Sequence, residues 1–164
     1  MLERIVKILA INPGSKYLGV AIFQGLELKD WGVKIIKGKG LKAKMEKVKK
    51  EIFFLIDCWR PNVLAIKLLH PSRSSETLNE IVKKIKQIGR RKGLRIYQYS
   101  IKELEDFFSS KERINKQELA EILVSKYPEL LTEYEKEKNH KNPYHIRMFE
   151  AVALGSVCSH KLGN

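Results

Sequence analysis

Apolar residues dominate positions 4–11 and again 17–24, and this pattern predicts two strands joined by the turn Asn12-Pro13-Gly14-Ser15-Lys16. Gln24-Gly25 makes a second turn and 27–36 predicts a third strand, so the first three strands form an antiparallel meander. After Gly38-Lys39-Gly40 the period lengthens. Leu41, Met45, Val48, Ile52, Phe53, Leu55, Ile56 and Trp59 recur at helical spacing over 41–59, and Arg60-Pro61-Asn62 ends that helix. Val63–Leu68, apolar apart from Lys67, has the length and composition of a strand buried on both faces.

A second helix runs from about Ser75 to Arg91, with Leu78, Ile81, Val82, Ile85 and Ile88 on its core stripe and Gly93 as its stop. Leu94–Tyr99 is a fifth strand. Ser100 caps a short helix over 101–108 with Glu103 as capping-box partner, and Asn115 caps another over about 116–126, stopped before Pro128. Residues 129–142 are highly charged and predict an exposed helical end or a mobile loop; the last helix spans roughly 144–161. No repeat or linker divides the chain, which reads as one domain over 1–164. The order β-β-β-α-β-α-β-α-α-α predicts an α/β fold: a mixed five-stranded sheet, three antiparallel strands followed by βα units, with helices on both faces and the first strand at its centre. That is the ribonuclease-H-like arrangement.

Charge sharpens this picture. Lysine and arginine outnumber acidic residues to give a formal net charge of +13, a field that favours polyanions, nucleic acid above all. Cys58 and Cys158 are too few and too far apart for a zinc site or a disulfide framework, and both sit among apolar residues as expected buried thiols. No stretch has the length of a membrane span and no signal-peptide pattern opens the sequence, so the expected setting is the cytoplasm, with no membrane partner.

Four short segments carry a resemblance. Ile-Asn-Pro-Gly-Ser at 11–15, Val-Leu-Ala-Ile-Lys at 63–67, Leu-Arg-Ile-Tyr-Gln-Tyr-Ser at 94–100 and Met-Phe-Glu-Ala-Val-Ala-Leu-Gly at 148–155 follow one another in the order and spacing of the RuvC-type Holliday junction resolvases. The resemblance extends over nearly the whole chain. It implies a ribonuclease-H-like nuclease fold, DNA as partner, four-way junctions in particular, a homodimer, and an acidic site served by Mg2+ or Mn2+. Such a site needs three or four carboxylates to hold two divalent ions.

The departures fall on those acidic positions. Asn12 stands for the first aspartate, Lys67 for a glutamate and Arg147 for the penultimate aspartate; Glu150 alone keeps a carboxylate, and with it any metal-ligand role. Lys67, Arg147 and Glu150 together carry a charge of about +1, which repels paired divalent ions. The expectation is therefore a RuvC-like DNA-binding protein with a degenerate nuclease centre and no cofactor. Lys67 and Glu150 then form an ion pair in place of the metal cluster, because a buried charge without its partner is costly. Asn12 has a second reading, as a turn former bonding its own backbone ahead of Pro13. Two alternatives stay open. One is an active endonuclease with a rebuilt site, one-metal through Glu150 and Asn12 or metal-free, with Lys67 and Arg147 on the phosphate and His70, His140 or His145 as acid or base. The other is a protein-interaction scaffold without a nucleic-acid role.

For DNA contact the foremost candidates are Arg73 and Ser74, in the segment His70-Pro71-Ser72-Arg73-Ser74-Ser75 ahead of the second helix. Free N–H groups, hydroxyls and a guanidinium there would suit a phosphate at a helix N-terminus. Lys16 in the first turn, and Lys83 and Arg90 on the second helix, complete the set, with Lys84, Lys86 and Arg91 beside them. Lys37 and Lys39 flank glycines, where a phosphate can approach the backbone closely; the later lysines of 34–50 read as a solvated face.

Overall fold

A computed structural model describes residues 5–109, 113–140 and 143–163. Strands β1 (Lys7–Asn12), β2 (Tyr17–Gln24) and β3 (Glu27–Ile35) form the predicted meander. Helix α1 (Gly40–Trp59) leads to β4 (Val63–Lys67), α2 (Glu76–Arg91) to β5 (Arg95–Tyr99). Helices α3 (Ile101–Phe108), α4 (Lys116–Lys126), α5 (Leu131–His140) and α6 (Pro143–Leu162) follow. The strands lie in the order β3-β2-β1-β4-β5, so β1 is central, antiparallel to β2 and parallel to β4.

Alternation along β1 explains the two-sided core. Ile8 and Ala10 face one layer and Leu9 and Ile11 the other, all fully buried. One layer is filled by Val48, Ile52, Leu55 and Ile56 of α1 and Ile81, Val82, Ile85 and Ile88 of α2. The other is filled chiefly by α6, through Met148, Phe149, Ala151–Leu154, Val157 and Cys158, with Leu104 of α3 and Leu119 and Leu123 of α4 outside it. Burial pushes the Cys158 thiol up to about 11, and burial likewise raises Tyr99 beside it.

Local chemistry sets the ends. Arg60 in the left-handed region (φ 49°) stops α1, and Gly93 (φ 79°) follows α2. Ser75 caps α2 by accepting from the Leu78 N–H; Ser100 with Glu103, and Asn115 with Glu118, form capping boxes on α3 and α4. The charged stretch after Pro128 is a single 3-10 turn running into α5, not a loop, up to His140; residues 141–142 lie outside the described ones. Cys58 departs from the expectation of burial. It is exposed, because the inward stripe of α1 passes through Ile52, Leu55 and Ile56 and leaves position 58 on the outer side. Among the described residues no helix is long and apolar enough to cross a membrane.

One close approach positions everything that follows. A Cβ on Gly19, directly opposite Asn12 in the β1–β2 register, would stand 1.9 Å from the Arg147 carbonyl oxygen. Only glycine lets the start of α6 press against β2 there. Gly19→Ala is expected to destabilise the protein by about 3 kcal/mol, the cost of overpacking against backbone that cannot yield. Gly32→Ala, with nothing within 4 Å of its Cβ position, is the matched control expected to stay near wild type in urea unfolding.

Candidate functional site

The C-terminal ends of β1 and β4 lie side by side, and α6 crosses them antiparallel to β1, from Arg147 beside Asn12 to Ser159 beside Gly25. Asn12, Lys67, Arg147 and Glu150 therefore gather at one end of the sheet, as the sequence predicts. Lys67 Nζ donates to Glu150 Oε2 at 2.8 Å, and the Asn12 amide donates to the same oxygen at 2.9 Å. The Glu150 side chain is only 5% exposed and Lys67 20%. Lys116, at the first position of α4, stands 3.8 Å from the other carboxylate oxygen, with its own side chain 61% exposed.

Asn12 is thus no local turn former. Its Nδ2 spans the fold, reaching the Arg147 carbonyl at 3.2 Å as well as Glu150. Both partners are acceptors, which fixes the amide orientation and leaves Oδ1 buried without a hydrogen-bond partner among the described residues. Arg147 departs in the other direction. Its guanidinium turns away from Glu150 onto the β1–β2 turn, with Nη1 3.5 Å from the Pro13 carbonyl and Cζ 2.9 Å from where a Cβ of Gly14 would stand.

Two divalent ions do not fit these residues. Among the described residues Glu150 is the one carboxylate in the cluster; one of its oxygens is taken by Lys67 and Asn12, and the other faces Lys116. Among the described residues no three His, Cys, Asp or Glu side chains converge as a ligand group. Hard divalent cations need anionic oxygens, and fixed ammonium groups repel them.

A groove of about 1020 Å³ opens beside this cluster, between the loop after β4 and the starts of α3, α4 and α6. Lys67, His70, Lys102, Arg113, Lys116 and Arg147 line it against two acidic residues, Glu105 and Glu150. Lys102, Arg113 and Lys116 were not singled out in the sequence. Their common signal is position: Lys102 and Lys116 each lie within two residues after a helix cap, at helix starts that face this sheet end.

The segment ahead of α2 is built differently from the expectation. Pro71–Arg73 is a 3-10 turn whose groups bond one another: the Ser72 N–H donates to His70 Nδ1, and Ser74 Oγ donates to the Pro71 carbonyl. Ser75 is used as the α2 cap. His70 and Ser72 reach the groove while Ser74 does not line it, and the Arg73 side chain lies outside the described ones. Lys83 and Arg90 line a separate, smaller groove of about 320 Å³ between α2 and β5. Lys16 is exposed in the β1–β2 turn. His145 is half-buried on α6, and the His140 side chain is outside the described ones.

No family model matches this chain, and no curated protein matches it in sequence. Solved structures do. Thermus thermophilus RuvC in complex with a Holliday junction substrate superposes with a TM-score of 0.70 at 16% identity, over 95% of this chain and 92% of that one. A second Thermus thermophilus RuvC structure gives 0.70 at 15%, over 95% and 93%. The yeast mitochondrial Holliday junction resolvase Ydc2 gives 0.65 at 11%, over 97% and 81%. The chain has the ribonuclease-H-like fold of these resolvases, as its motifs suggested.

The central ion pair can be tested by stability. Lys67→Met keeps the aliphatic stem but strips a nearly buried carboxylate of its closest cation, and is expected to cost about 3 kcal/mol in urea unfolding. Adding Glu150→Gln removes the uncompensated charge while keeping an acceptor for Asn12. The double variant is expected to return to within about 1 kcal/mol of wild type.

Proposed function

We propose that this chain binds DNA, preferring branched or four-way-junction DNA, through the basic groove at the C-terminal end of its sheet, and that it does so without cleaving. The observation that carries the reading is the Lys67–Glu150 pair at 2.8 Å, set beside a groove in which cations outnumber acids. A resolvase-like fold supplies the frame, and the net charge of +13 supplies the long-range attraction.

The chain's own residues divide the work by their surroundings. Lys67 spends its charge on Glu150 and holds β4 to α6. Lys102, Arg113 and Lys116 face open solvent across the groove and suit backbone phosphates, which fix register without reading sequence. Arg147 donates to the Pro13 carbonyl and so ties the start of α6 to the β1–β2 turn beside the groove. Two copies acting together, in a cytoplasmic setting, belong to the same reading. A second reading, a one-metal nuclease, is favoured by one observation: the buried Asn12 Oδ1 is an unpartnered acceptor one amide away from Glu150.

Gel shifts over a salt series test the first reading. A four-way junction is expected to bind at least about tenfold more tightly than linear duplex of equal length, with affinity falling steeply as salt rises. No cleavage is expected in Mg2+ or Mn2+. Equal, weak binding to both DNAs contradicts the junction preference, and metal-dependent cleavage that Glu150→Gln abolishes establishes the one-metal reading instead.

A further inference from the structure

Helix α2 carries three cations that the larger groove leaves unused. Lys83, Lys86 and Arg90, spaced three and four residues apart, share one side of the helix and line the smaller groove between α2 and the edge strand β5. Val82, Asn79 and Gln98 line it with them. Among the described residues no acid reaches this groove, and none of the three cations forms an ion pair. Glu76 and Glu80, the acids of α2, line neither groove. Lys67 by contrast is committed to Glu150. The charge on α2 is unspent.

The two grooves adjoin. Leu68 and Leu69 line both, and Leu78 of the larger is followed by Asn79 of the smaller. They nevertheless belong to opposite faces of the sheet. The larger is walled by the starts of α3, α4 and α6, whose Leu104, Leu119 and Met148 pack on one face. The smaller is walled by α2, whose Ile81, Val82 and Ile85 pack on the other. Gln98 shares its face of β5 with Ile96, which packs in the same layer as α2. A path between the grooves therefore passes over the C-terminal end of β4. There the Leu68 N–H donates to the Tyr99 carbonyl at 2.9 Å and fixes the crossing point.

Such a path suits one DNA strand and not two. Duplex DNA is stiff over about 150 bp and does not turn over a strand end from one face of a small sheet to the other. An unpaired strand does so freely. From Lys83 to Arg90 helix α2 rises about 10.5 Å at about 1.5 Å per residue, comparable with about three nucleotide steps at about 3.4 Å each. Among the described residues no aromatic side chain lines the smaller groove, so its hold is on phosphates and independent of sequence. We infer that the α2–β5 groove holds the backbone of an unpaired DNA strand that leaves a branch point in the larger groove and turns over the end of β4. This inference rests on the DNA-binding reading above and adds to it the class of branch, one with a single-stranded arm.

The test measures binding, over a salt series, of a fully paired four-way junction and of the same junction with one arm left single-stranded. Wild type is expected to bind the second at least about tenfold more tightly. Lys83→Gln/Lys86→Gln/Arg90→Gln abolishes that advantage and lowers the salt slope by about two, at about 0.7 per single-strand phosphate contact, while the paired junction changes by less than about threefold. Lys102→Gln/Arg113→Gln in the larger groove weakens both DNAs. Lys42→Gln/Lys49→Gln/Lys50→Gln, an equal loss of charge on α1, leaves the advantage intact. Gln98→Lys adds a cation to the smaller groove from β5 and increases the advantage, a gain that misfolding cannot mimic; thermal unfolding verifies the other variants. No advantage in wild type, an advantage that survives the α2 variant, or equal losses on both DNAs overturns the single-strand path while leaving the groove reading in place. A wild-type protein that binds neither DNA overturns both.

Discussion

The end of this sheet is held by a carboxylate that cannot be left alone. Glu150 is carried into the interior by α6, and a buried anion without compensation would cost several kcal/mol. Lys67 supplies the compensating charge from β4, and Asn12 supplies a donor from β1, both to the same oxygen. Three elements far apart in sequence are tied at one atom. Gly19 makes the arrangement possible by admitting the α6 backbone, and the Arg147 carbonyl takes the second Asn12 hydrogen.

Asn12, Lys67 and Glu150 are intelligible only together. Several acids at such a place repel one another and need bound cations to coexist; here the cation is part of the chain. An aspartate at position 12 would set a second anion beside Glu150, whereas the amide presents a donor of nearly the same shape. The charge of Glu150 is met by a fixed ion pair within the chain. Around this pair Lys102, Arg113 and Lys116 remain exposed along the groove.

Much of this was legible in the sequence, for reasons that can be named. The meander, the helical stripes of α1 and α2 and the caps at Ser75, Ser100 and Asn115 follow from short-range rules that tertiary packing did not override. The Lys67–Glu150 pair followed from the cost of isolated buried charge. Asn12 was ambiguous because a local turn bond and a bond across the fold satisfy its amide equally well; only the position of α6 decides between them. Arg147 turns onto the β1–β2 turn, where its guanidinium meets the Pro13 carbonyl, a partner that only the packed fold brings to it. Lys102, Arg113 and Lys116 were missed because two come from separate helix starts and Arg113 from the segment ahead of α4, and nothing local marks residues that only the fold assembles. The Ser72 N–H and the Ser74 hydroxyl bond within their own segment, a local closure that the sequence alone does not reveal. Cys58 was misplaced because apolar neighbours in sequence are not neighbours in space on a helix.

Crystals soaked in Mn2+ and measured at the manganese absorption edge address the central claim most directly, since anomalous scattering locates the ion without reference to activity. The account predicts no manganese at the sheet end and Lys67 Nζ still bonded to Glu150. A manganese ion between Asn12 Oδ1 and the Glu150 carboxylate, with Lys67 displaced toward solvent, would contradict it.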